Sequence, residues 1–331
     1  MECVSCTTVP GTSAWPARGG AASAQTPQGV YLFGGAARDG QHFNDVLRVQ
    51  SDFAGDLQGS VLAMPADSVC MPCLAGHSAV WCPSLQVVVL WGGLHHGSGE
   101  VYDQLWLWHP AENVFRQAAT VGTEGQQPHG RAGHSFVSVG GVMWMFAGSS
   151  PEHGPSNELW RLTPPDTLEG TWTWEAVGTT GPAPEPREMH NAWAGSGEHA
   201  HMMMVWGGRD EDGNPQPTLH ALDTRTMTWQ AGADCGFARL GASVVAGPWG
   251  ALVLGGIDTE EGLASSVRWL PTPHEPGCHV VDMPSAVVPR FAATACTLTD
   301  VDDAVQVVYA GGVSPETDLK EVQVLHFSRH R

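Results

Sequence analysis

Basic residues are scarce in this sequence. Lys and Arg together number 15 against 34 Asp and Glu, which gives a formal charge of −19 over 331 residues. Because nucleic acids and anionic membranes are bound through basic surfaces, this composition argues against both as partners. The same acidity favours a soluble protein and suits a basic partner.

Long apolar runs are also missing. No stretch approaches the roughly 18 uninterrupted apolar residues of a membrane span, and residues 1–6 have neither the basic start nor the apolar centre of a signal peptide. No Asn-x-Ser/Thr sequon occurs. The 8 cysteines are scattered through a chain too large to need disulfide staples, which suits a reducing compartment. We therefore expect a cytoplasmic protein that does not cross a membrane.

Metal-binding motifs are incomplete. Two Cys-x-x-Cys pairs, Cys3/Cys6 and Cys70/Cys73, contain enough thiolates for zinc, but 64 positions separate Cys6 from Cys70. We favour structural or unreactive thiols over a zinc site. Residues 210–214 begin like a calcium loop, but Ala221 stands where the twelfth position needs a Glu.

No other cofactor motif is complete either. The pairs His95-His96 and His199-x-His201 have no third ligand nearby in sequence. No glycine-rich phosphate loop and no nucleophile with a marked base can be identified. The sequence therefore predicts no cofactor, and an enzyme is the less favoured reading.

A repeated short strand that ends in a glycine pair is the feature that organises the chain. The copy at residues 87–93 reads Val-Val-Val-Leu-Trp-Gly-Gly, and six copies follow one another 48 to 60 residues apart. In the third copy Ala147-Gly148 replaces the pair. Self-similarity at about 50 residues is typical of propeller arrays, so residues 1–331 are predicted to form a single domain.

Each repeat divides into four strand-like segments. The first usually follows an Arg, the second ends in the glycine pair, the third alternates apolar and polar residues, and the fourth is often led by an aromatic such as Phe115 or Trp229. Most of the 14 Trp are expected to fill the core between sheets. His77, His134 and His190 hold equivalent positions and are expected to be hydrogen-bonded core residues rather than a ligand set.

Residues 1–10 resemble the last part of a repeat. They compare with the segment that begins at Trp174, since both are followed by a proline-containing link and then an Arg. After residues 320–327 the chain has no room for another strand. The N-terminal strand is therefore expected to complete the last sheet, which removes free sheet edges.

These repeats resemble the kelch-repeat β-propellers. The resemblance rests on the apolar-Gly-Gly strand, the Arg-x-Gly-His-Ser opening at residues 131–135, the acid-Leu-Trp third strand and the trailing Trp, and it covers the whole chain. It implies an all-β fold: a six-bladed β-propeller of four-stranded antiparallel blades, closed by the N-terminal strand. The second repeat departs from the pattern with Leu74 in place of the Arg, and the fifth lacks a clear trailing Trp.

Two enzymatic variants of this family do not fit. Some propellers that this chain resembles hold a copper radical site built on Tyr and Cys, and this sequence has only 3 Tyr. Others hold iron through a Glu-x₃-Asp-x₃-His run, which does not occur here. Kelch propellers serve mostly as protein-binding scaffolds, so the resemblance implies a protein partner.

One face of such a propeller should carry function. The links into the first strands and the loops after the glycine pairs emerge together, and loops on a rigid scaffold are common binding sites. We call the latter the rim loops; they are residues 36–43, 94–102, 149–156, 209–217, 257–265 and 313–318. The predicted partner-binding residues are Arg18, Arg131, Arg187, Arg239 and Arg290 from the links, and Arg38, His95, His96, Arg209, Asp210, Asp212 and Glu260 from the rim loops.

Alternatives remain open at these positions. The link arginines suit bidentate contacts to carboxylates or phosphates, yet five near-equivalent copies also suit pairing with an acid or backbone carbonyl of the adjacent blade. The acidic loops suit either a solvated rim or the steering of a basic peptide. The main hypothesis is a protein-interaction scaffold. Its rival is an isomerase-like enzyme acting on an acidic sugar at the mouth of the central channel.

Overall fold

The fold is all-β, as the sequence predicts. The computed structural model describes residues 1–52, 54–66, 68–258, 261–270, 278–301 and 304–328. Within them the only helices are two three-residue 3₁₀ turns, Thr123–Gly125 and Gly197–His199. No helix in this part of the chain has both the length and the apolarity that crossing a bilayer requires.

The first two large sheets come from residues 22–117. Strand β1 is Glu2–Thr8. Sheet 1 comprises β2 (Ala22–Thr26), β3 (Gly29–Ala36), β4 (His42–Ser51) and β5 (Leu57–Val61). Next come β6 (Ser78–Cys82), β7 (Val87–Trp91), β8 (Leu94–His95), β9 (Glu100–Val101), β10 (Leu105–His109) and β11 (Val114–Gln117). Of these, β6, β7, β10 and β11 form sheet 2, and β8 and β9 form a separate hairpin.

The next two sheets follow the same plan. The strands are β12 (Thr120–Gly122), β13 (Ser135–Val139), β14 (Val142–Phe146), β15 (Ser149–Ser150), β16 (Gly154–Pro155), β17 (Leu159–Thr163) and β18 (Trp172–Ala176). Sheet 3 contains β12, β13, β14, β17 and β18. Sheet 4 contains β19 (Glu188–Ala194), β20 (Met202–Arg209), β21 (Thr218–Asp223) and β22 (Thr228–Asp234).

The remaining strands complete two more large sheets. They are β23 (Arg239–Leu240), β24 (Ser243–Gly247), β25 (Gly250–Leu254), β26 (Ile257–Asp258), β27 (Gly262–Leu263), β28 (Val267–Leu270), β29 (His279–Val281), β30 (Thr294–Val301), β31 (Ala304–Ala310) and β32 (Val322–Ser328). Sheet 5 contains β24, β25, β28 and β29, while β23, β26 and β27 form a small sheet. Sheet 6 runs in the order β1-β32-β31-β30, with Cys6 opposite Leu325.

Antiparallel pairing holds in every large sheet with one exception. In sheet 3, β12 is a fifth strand and pairs parallel to β18, with Val121 opposite Thr173. Residues 120–122 were not predicted as a strand. Their pairing covers the outer edge of sheet 3, which would otherwise present unpaired backbone groups.

The hydrophobic core lies between neighbouring sheets. It divides into six clusters, and each cluster is shared by two sheets that follow one another, or by sheets 6 and 1. Ten of the Trp are buried, as expected: Trp15, Trp91, Trp106, Trp108, Trp144, Trp160, Trp172, Trp174, Trp206 and Trp229. Their large rings fill the gaps that twist opens between stacked sheets.

A ring of backbone hydrogen bonds connects the starts of the large sheets. Each amide donates to the carbonyl of the equivalent residue in the preceding sheet, over 2.8 to 3.1 Å. The members are Gly20, Gly76, Gly133, Met189, Gly241 and Ala292, and Gly20 donates to Ala292. We call these six residues the inner ring. All six have φ between +52° and +67°, the left-handed conformation that glycine adopts most readily.

Candidate functional site

The five link arginines are buried. Arg18, Arg131, Arg187, Arg239 and Arg290 expose 5% or less of their surface. In each, Nη1 donates to the carbonyl of the first residue of the glycine pair in its own sheet, over 2.9 to 3.4 Å. Four of the five also donate from Nε to the carbonyl two residues earlier. These bonds satisfy carbonyls that a turn leaves without a strand partner.

Carboxylates neutralise three of these guanidinium groups. Arg18 holds both oxygens of Asp45, Nη2 of Arg131 lies 2.6 Å from Oε2 of Glu158, and Arg239 contacts Asp258 at 3.5 Å. For Arg187, burial lowers the pKa to about 10. A buried cation tolerates this environment because backbone carbonyls surround it.

The backbone at the same positions joins neighbouring sheets. The amide of the second glycine in a pair donates to the carbonyl of the link residue of the following sheet, as from Gly93 to Arg131 (2.8 Å) and from Gly312 to Arg18 (2.7 Å). Gly35 donates in the same way to Leu74 (2.7 Å). Leu74 therefore keeps the backbone role while lacking the guanidinium group.

These contacts favour a structural role for the link arginines. Their side chains bond within their own sheet, and their backbone carbonyls bond the neighbouring one. In the structural alternative considered above, the side chains paired with the adjacent blade instead. Because the guanidinium groups are buried and hydrogen-bonded, we interpret Arg18, Arg131, Arg187, Arg239 and Arg290 as residues that stabilise the turn of their own sheet. We leave them out of the proposed contact surface.

The links and the rim loops together line one cavity. It has a volume of about 760 Å³, and five of the six inner-ring residues lie against it. We call it the mouth cavity. Most of its lining is small or apolar, with Ala37, Ala132 and Val313 as examples. Cavities of this volume are typical of ligand sites.

Two ion pairs stand in the wall of the mouth cavity. Nε of Arg38 lies 3.2 Å from Oδ1 of Asp318, and Nη2 of Arg38 donates to the carbonyl of Ser314. Nε and Nη2 of Arg209 lie 2.9 and 2.6 Å from Oε1 of Glu188. The side chains of Arg38 and Arg209 remain 44% and 43% exposed. Arg38 and Arg209, both predicted as partner-binding residues, therefore line the cavity while each is paired with a carboxylate of the same chain.

Three histidines meet beside this cavity. The ring of His42 stacks on that of His95 with centroids 4.1 Å apart, and the backbone amide of His96 donates to Nε2 of His42 over 3.0 Å. His96 lines the cavity. Burial, followed by the neighbouring His42 and His95, lowers the pKa of His96, so its imidazole is neutral near pH 7.

The predicted acids of the rim loops differ in their surroundings. Asp210 caps its own turn by accepting from the amide of Asn214 (2.8 Å) and from Gln216 (3.0 Å). The hydrogen bond from Asn214 is the main cause that lowers the pKa of Asp210. Asp212 is exposed. Glu260 lies outside the described residues.

Sequence reasoning missed several residues of this site. Glu188, Asp318 and His42 were not predicted, although each contacts a predicted residue. A signal did exist for the arginine partners, because Asp45 and Glu158 each follow their Arg by 27 positions. Four members of the inner ring could also have been found from the sequence, because a glycine stands two positions after each of the link residues 18, 74, 131 and 239.

The cysteine pairs lie apart from this cavity. Cys3 and Cys6 are in β1, and Cys70 and Cys73 are in the link between sheets 1 and 2, all as free thiols. Burial, followed by the neighbouring Cys6, raises the pKa of Cys3 to about 11. Among the described residues, no group of three or more His, Cys, Asp or Glu side chains is placed to hold a metal ion.

Comparison with known proteins agrees with the repeats seen here. Residues 20–233 match the sequence profile described as the KLHDC2/KLHL20/DRC7 Kelch-repeats domain. The chain belongs to the kelch-repeat family. The all-β structure with its four-stranded antiparallel sheets is that of a kelch β-propeller protein, as the sequence predicts.

The kelch relatives are much longer proteins. Acyl-CoA-binding domain-containing protein 4 of Arabidopsis thaliana is 31% identical over 150 residues, which cover 44% of this chain and 21% of that protein. Host cell factor 1 of Homo sapiens is 28% identical over 177 residues, 49% of this chain and 8% of that protein. Host cell factor 2 of Homo sapiens is 29% identical over 177 residues, 48% of this chain and 21% of that protein. The matched regions thus span 21% or less of these three relatives.

Proposed function

We propose that this kelch chain is a protein-interaction scaffold that binds a segment of another protein in the mouth cavity. Membership of the kelch family supports a role in protein binding. The observation that carries the proposal is the cavity itself, with a volume of about 760 Å³ and walls of small and apolar side chains. An extended segment or a tight loop fits such an opening, because its backbone can approach residues that have short side chains.

We also propose that the six large sheets are the blades of one closed propeller formed by residues 1–331. The inner ring supports this, since its hydrogen bonds run through all six sheets and return from Gly20 to Ala292. The first strands, β2, β6, β13, β19, β24 and β30, also contact one another in a cycle. The pairing of β1 with β32 supports closure by the N-terminal strand.

A selection experiment tests the binding site. A library of random peptides displayed on phage is selected on the immobilised protein, and the recovered peptides are measured against two variants. Ala37→Trp fills the mouth cavity, and Ala200→Trp adds the same ring on an exposed turn at the other end of the strands. We expect the selection to recover peptides that bind the Ala37→Trp variant at least about tenfold more weakly than the wild type, a loss of roughly 1.4 kcal/mol. The same peptides should bind the Ala200→Trp variant as tightly as the wild type.

The result is interpreted only for folded variants. Both proteins should melt within a few degrees of the wild type. Recovered peptides that bind Ala37→Trp as well as the wild type would place binding elsewhere on the molecule. Failure to recover any peptide would remove the proposal.

A further inference from the structure

Every rim loop carries an exposed carboxylate, and none carries a lysine. The exposed acids are Asp39, Glu100, Glu152, Glu211, Asp212, Glu261 and Glu316. Asp210 adds a further charge, because its hydrogen bonds from Asn214 and Gln216 stabilise the ionised form. Carboxylates on all sides of one opening concentrate a negative potential above it.

The arginines of the rim do not cancel this charge. Arg38 is paired with Asp318 and Arg209 with Glu188, so each guanidinium group balances a carboxylate that belongs to the cavity wall. Glu261 is paired with Arg268 at 3.2 Å. The structure shows no hydrogen bond or ion pair for the side chains of Glu152, Glu211 or Glu316 among the described residues, and these three belong to sheets 3, 4 and 6.

Apolar and small residues make up most of the lining of the cavity inside this acidic border. The apolar residues of the lining include Phe291, Met189, Val313, Ala75 and Ala132. A volume of about 760 Å³ exceeds that of one side chain. Two or three residues of a partner can therefore enter, and a bulky apolar side chain there would be removed from water.

We propose that the segment bound by the mouth cavity is basic and apolar, with one bulky apolar residue at its apex and Lys or Arg on both sides. This inference rests on the proposed function and specifies the chemistry of the partner. The apolar residue enters the cavity, and the flanking cations contact the rim carboxylates. Charge complementarity of this kind accelerates association and selects the partner, and salt weakens it.

Synthetic peptides test this chemistry directly. The probe is a fluorescein-labelled peptide, Ser-Gly-Lys-Lys-Gly-Phe-Gly-Lys-Lys-Gly-Ser, and binding is followed by fluorescence anisotropy. Two control peptides replace either all four Lys by Glu or the Phe by Ser. We expect the probe to bind at least about tenfold more tightly than either control, and its affinity to fall as sodium chloride is raised from about 50 to 500 mM.

Charge-reversal variants locate the contact. Glu152→Lys/Glu211→Lys/Glu316→Lys reverses three rim carboxylates. Asp56→Lys/Asp166→Lys/Glu169→Lys reverses three exposed acids in links between third and fourth strands, at the opposite end of the sheets. Both variants change the net charge by the same amount. The first should weaken the probe by about tenfold or more and the second by less than about threefold, since exposed pairs contribute little individually but add up at one site.

The outcomes separate this inference from the proposed function. If both triple variants weakened binding of the probe equally, the effect would come from the net charge of the protein and not from the rim carboxylates. That result would overturn the inference. Tighter binding of the Glu control peptide, or recovery of acidic or uncharged peptides in the phage selection, would overturn the basic partner while leaving the mouth cavity as a binding site. If no peptide binds in either experiment, the proposed function itself is contradicted, and the inference about the partner is contradicted with it.

Discussion

At the scale of single residues, Arg18 shows why a positive charge is retained inside this protein. Its Nε donates to the carbonyl of Pro16 and its Nη1 to that of Gly34, and its fork holds both oxygens of Asp45. The rings of Trp15 and Phe43 lie 3.6 and 3.7 Å from its Cζ. A planar guanidinium group is the only side chain that can stack and donate in this way.

Arg18→Met therefore tests the structural role of the link arginines. The substitution keeps the apolar stem but leaves Asp45 and the carbonyl of Gly34 without their donor. We expect the free energy of unfolding to fall by about 3 kcal/mol, measured by urea denaturation. The matched control Arg225→Met, at an exposed position, should change it by about 0.5 kcal/mol or less. Equal effects of the two variants would contradict the structural assignment.

Residue positions such as these were the least predictable from sequence. Where an Arg that precedes a first strand is followed 27 residues later by an acid, this spacing does not determine whether the Arg side chain points into the core or into solvent. The direction depends on where the glycine pair of the same sheet turns, and that is a tertiary contact. Met189 and Ala292 in the inner ring could not be found by a glycine pattern either, because they hold positive φ without being glycine.

At the scale of elements, the strands followed the sequence closely. The predicted opening strand at residues 1–10 is β1, Glu2–Thr8, and the aromatics Phe115 and Trp229 lie in the fourth strands β11 and β22. The second strands read as continuous apolar runs because each sheet packs between two others, and in β7 the odd and the even residues belong to two different core clusters. The parallel strand β12 has only three residues, too few for a period to be visible.

Removal of residues 1–8 tests the role of β1. Without them, β32 becomes a free edge in sheet 6, and the partly buried Met1, Cys3 and Cys6 no longer cover its core. We expect a lower melting temperature and concentration-dependent self-association, because an unpaired edge accepts another strand. Differential scanning calorimetry and sedimentation velocity measure the two effects.

A peptide of residues 1–10 supplied separately serves as the control. It should restore part of the melting temperature of the shortened protein, whereas a scrambled peptide of the same composition should not. An unchanged melting temperature after the deletion would show that β1 contributes nothing to closure.

At the scale of the whole molecule, three buried histidines at the starts of sheets 2, 3 and 4 are expected to make stability depend on pH. His77 and His134 have pKa values lowered to about 4 and about 3, mainly by burial. Burial and the nearby Arg187 and His134 lower the pKa of His190, whose Nε2 lies 2.9 Å from Oγ of Ser135. All three were expected in the core as hydrogen-bonded residues, and all three are buried. His190 has the expected hydrogen bond, but among the described residues neither ring nitrogen of His77 has a hydrogen-bond partner.

The direction of the pH effect follows from linkage. The unfolded chain binds protons near pH 6.5, but the folded protein keeps these imidazoles neutral, so stability is present above that pH and is lost as the pH falls. We expect the free energy of unfolding to decrease by about 1 kcal/mol per histidine for each pH unit below about 6. Most carboxyl groups titrate lower, so urea denaturation between pH 7 and 5 isolates the histidines. A constant stability over this range would contradict the burial of neutral imidazoles.

The chain as a whole was the most predictable level. The spacing of the glycine pairs, Ala147-Gly148 included, marked each large sheet, because every sheet needs the same tight turn at the same place. The proposed partner face could be predicted only as a set of loops. Which loop side chains reach the cavity depends on pairs such as Arg209 with Glu188, which join residues 21 positions apart.

The inner ring has an electrostatic consequence. Its six amides all donate in the same rotational sense, so the peptide dipoles follow one another around a circle instead of pointing along one line. In an α-helix aligned dipoles add to a macrodipole that attracts ions at its ends, whereas dipoles arranged head to tail around a circle largely cancel. The protein thus gains six backbone hydrogen bonds around the opening without placing a fixed field on its axis, and the side chains of the loops set the potential that an approaching molecule meets.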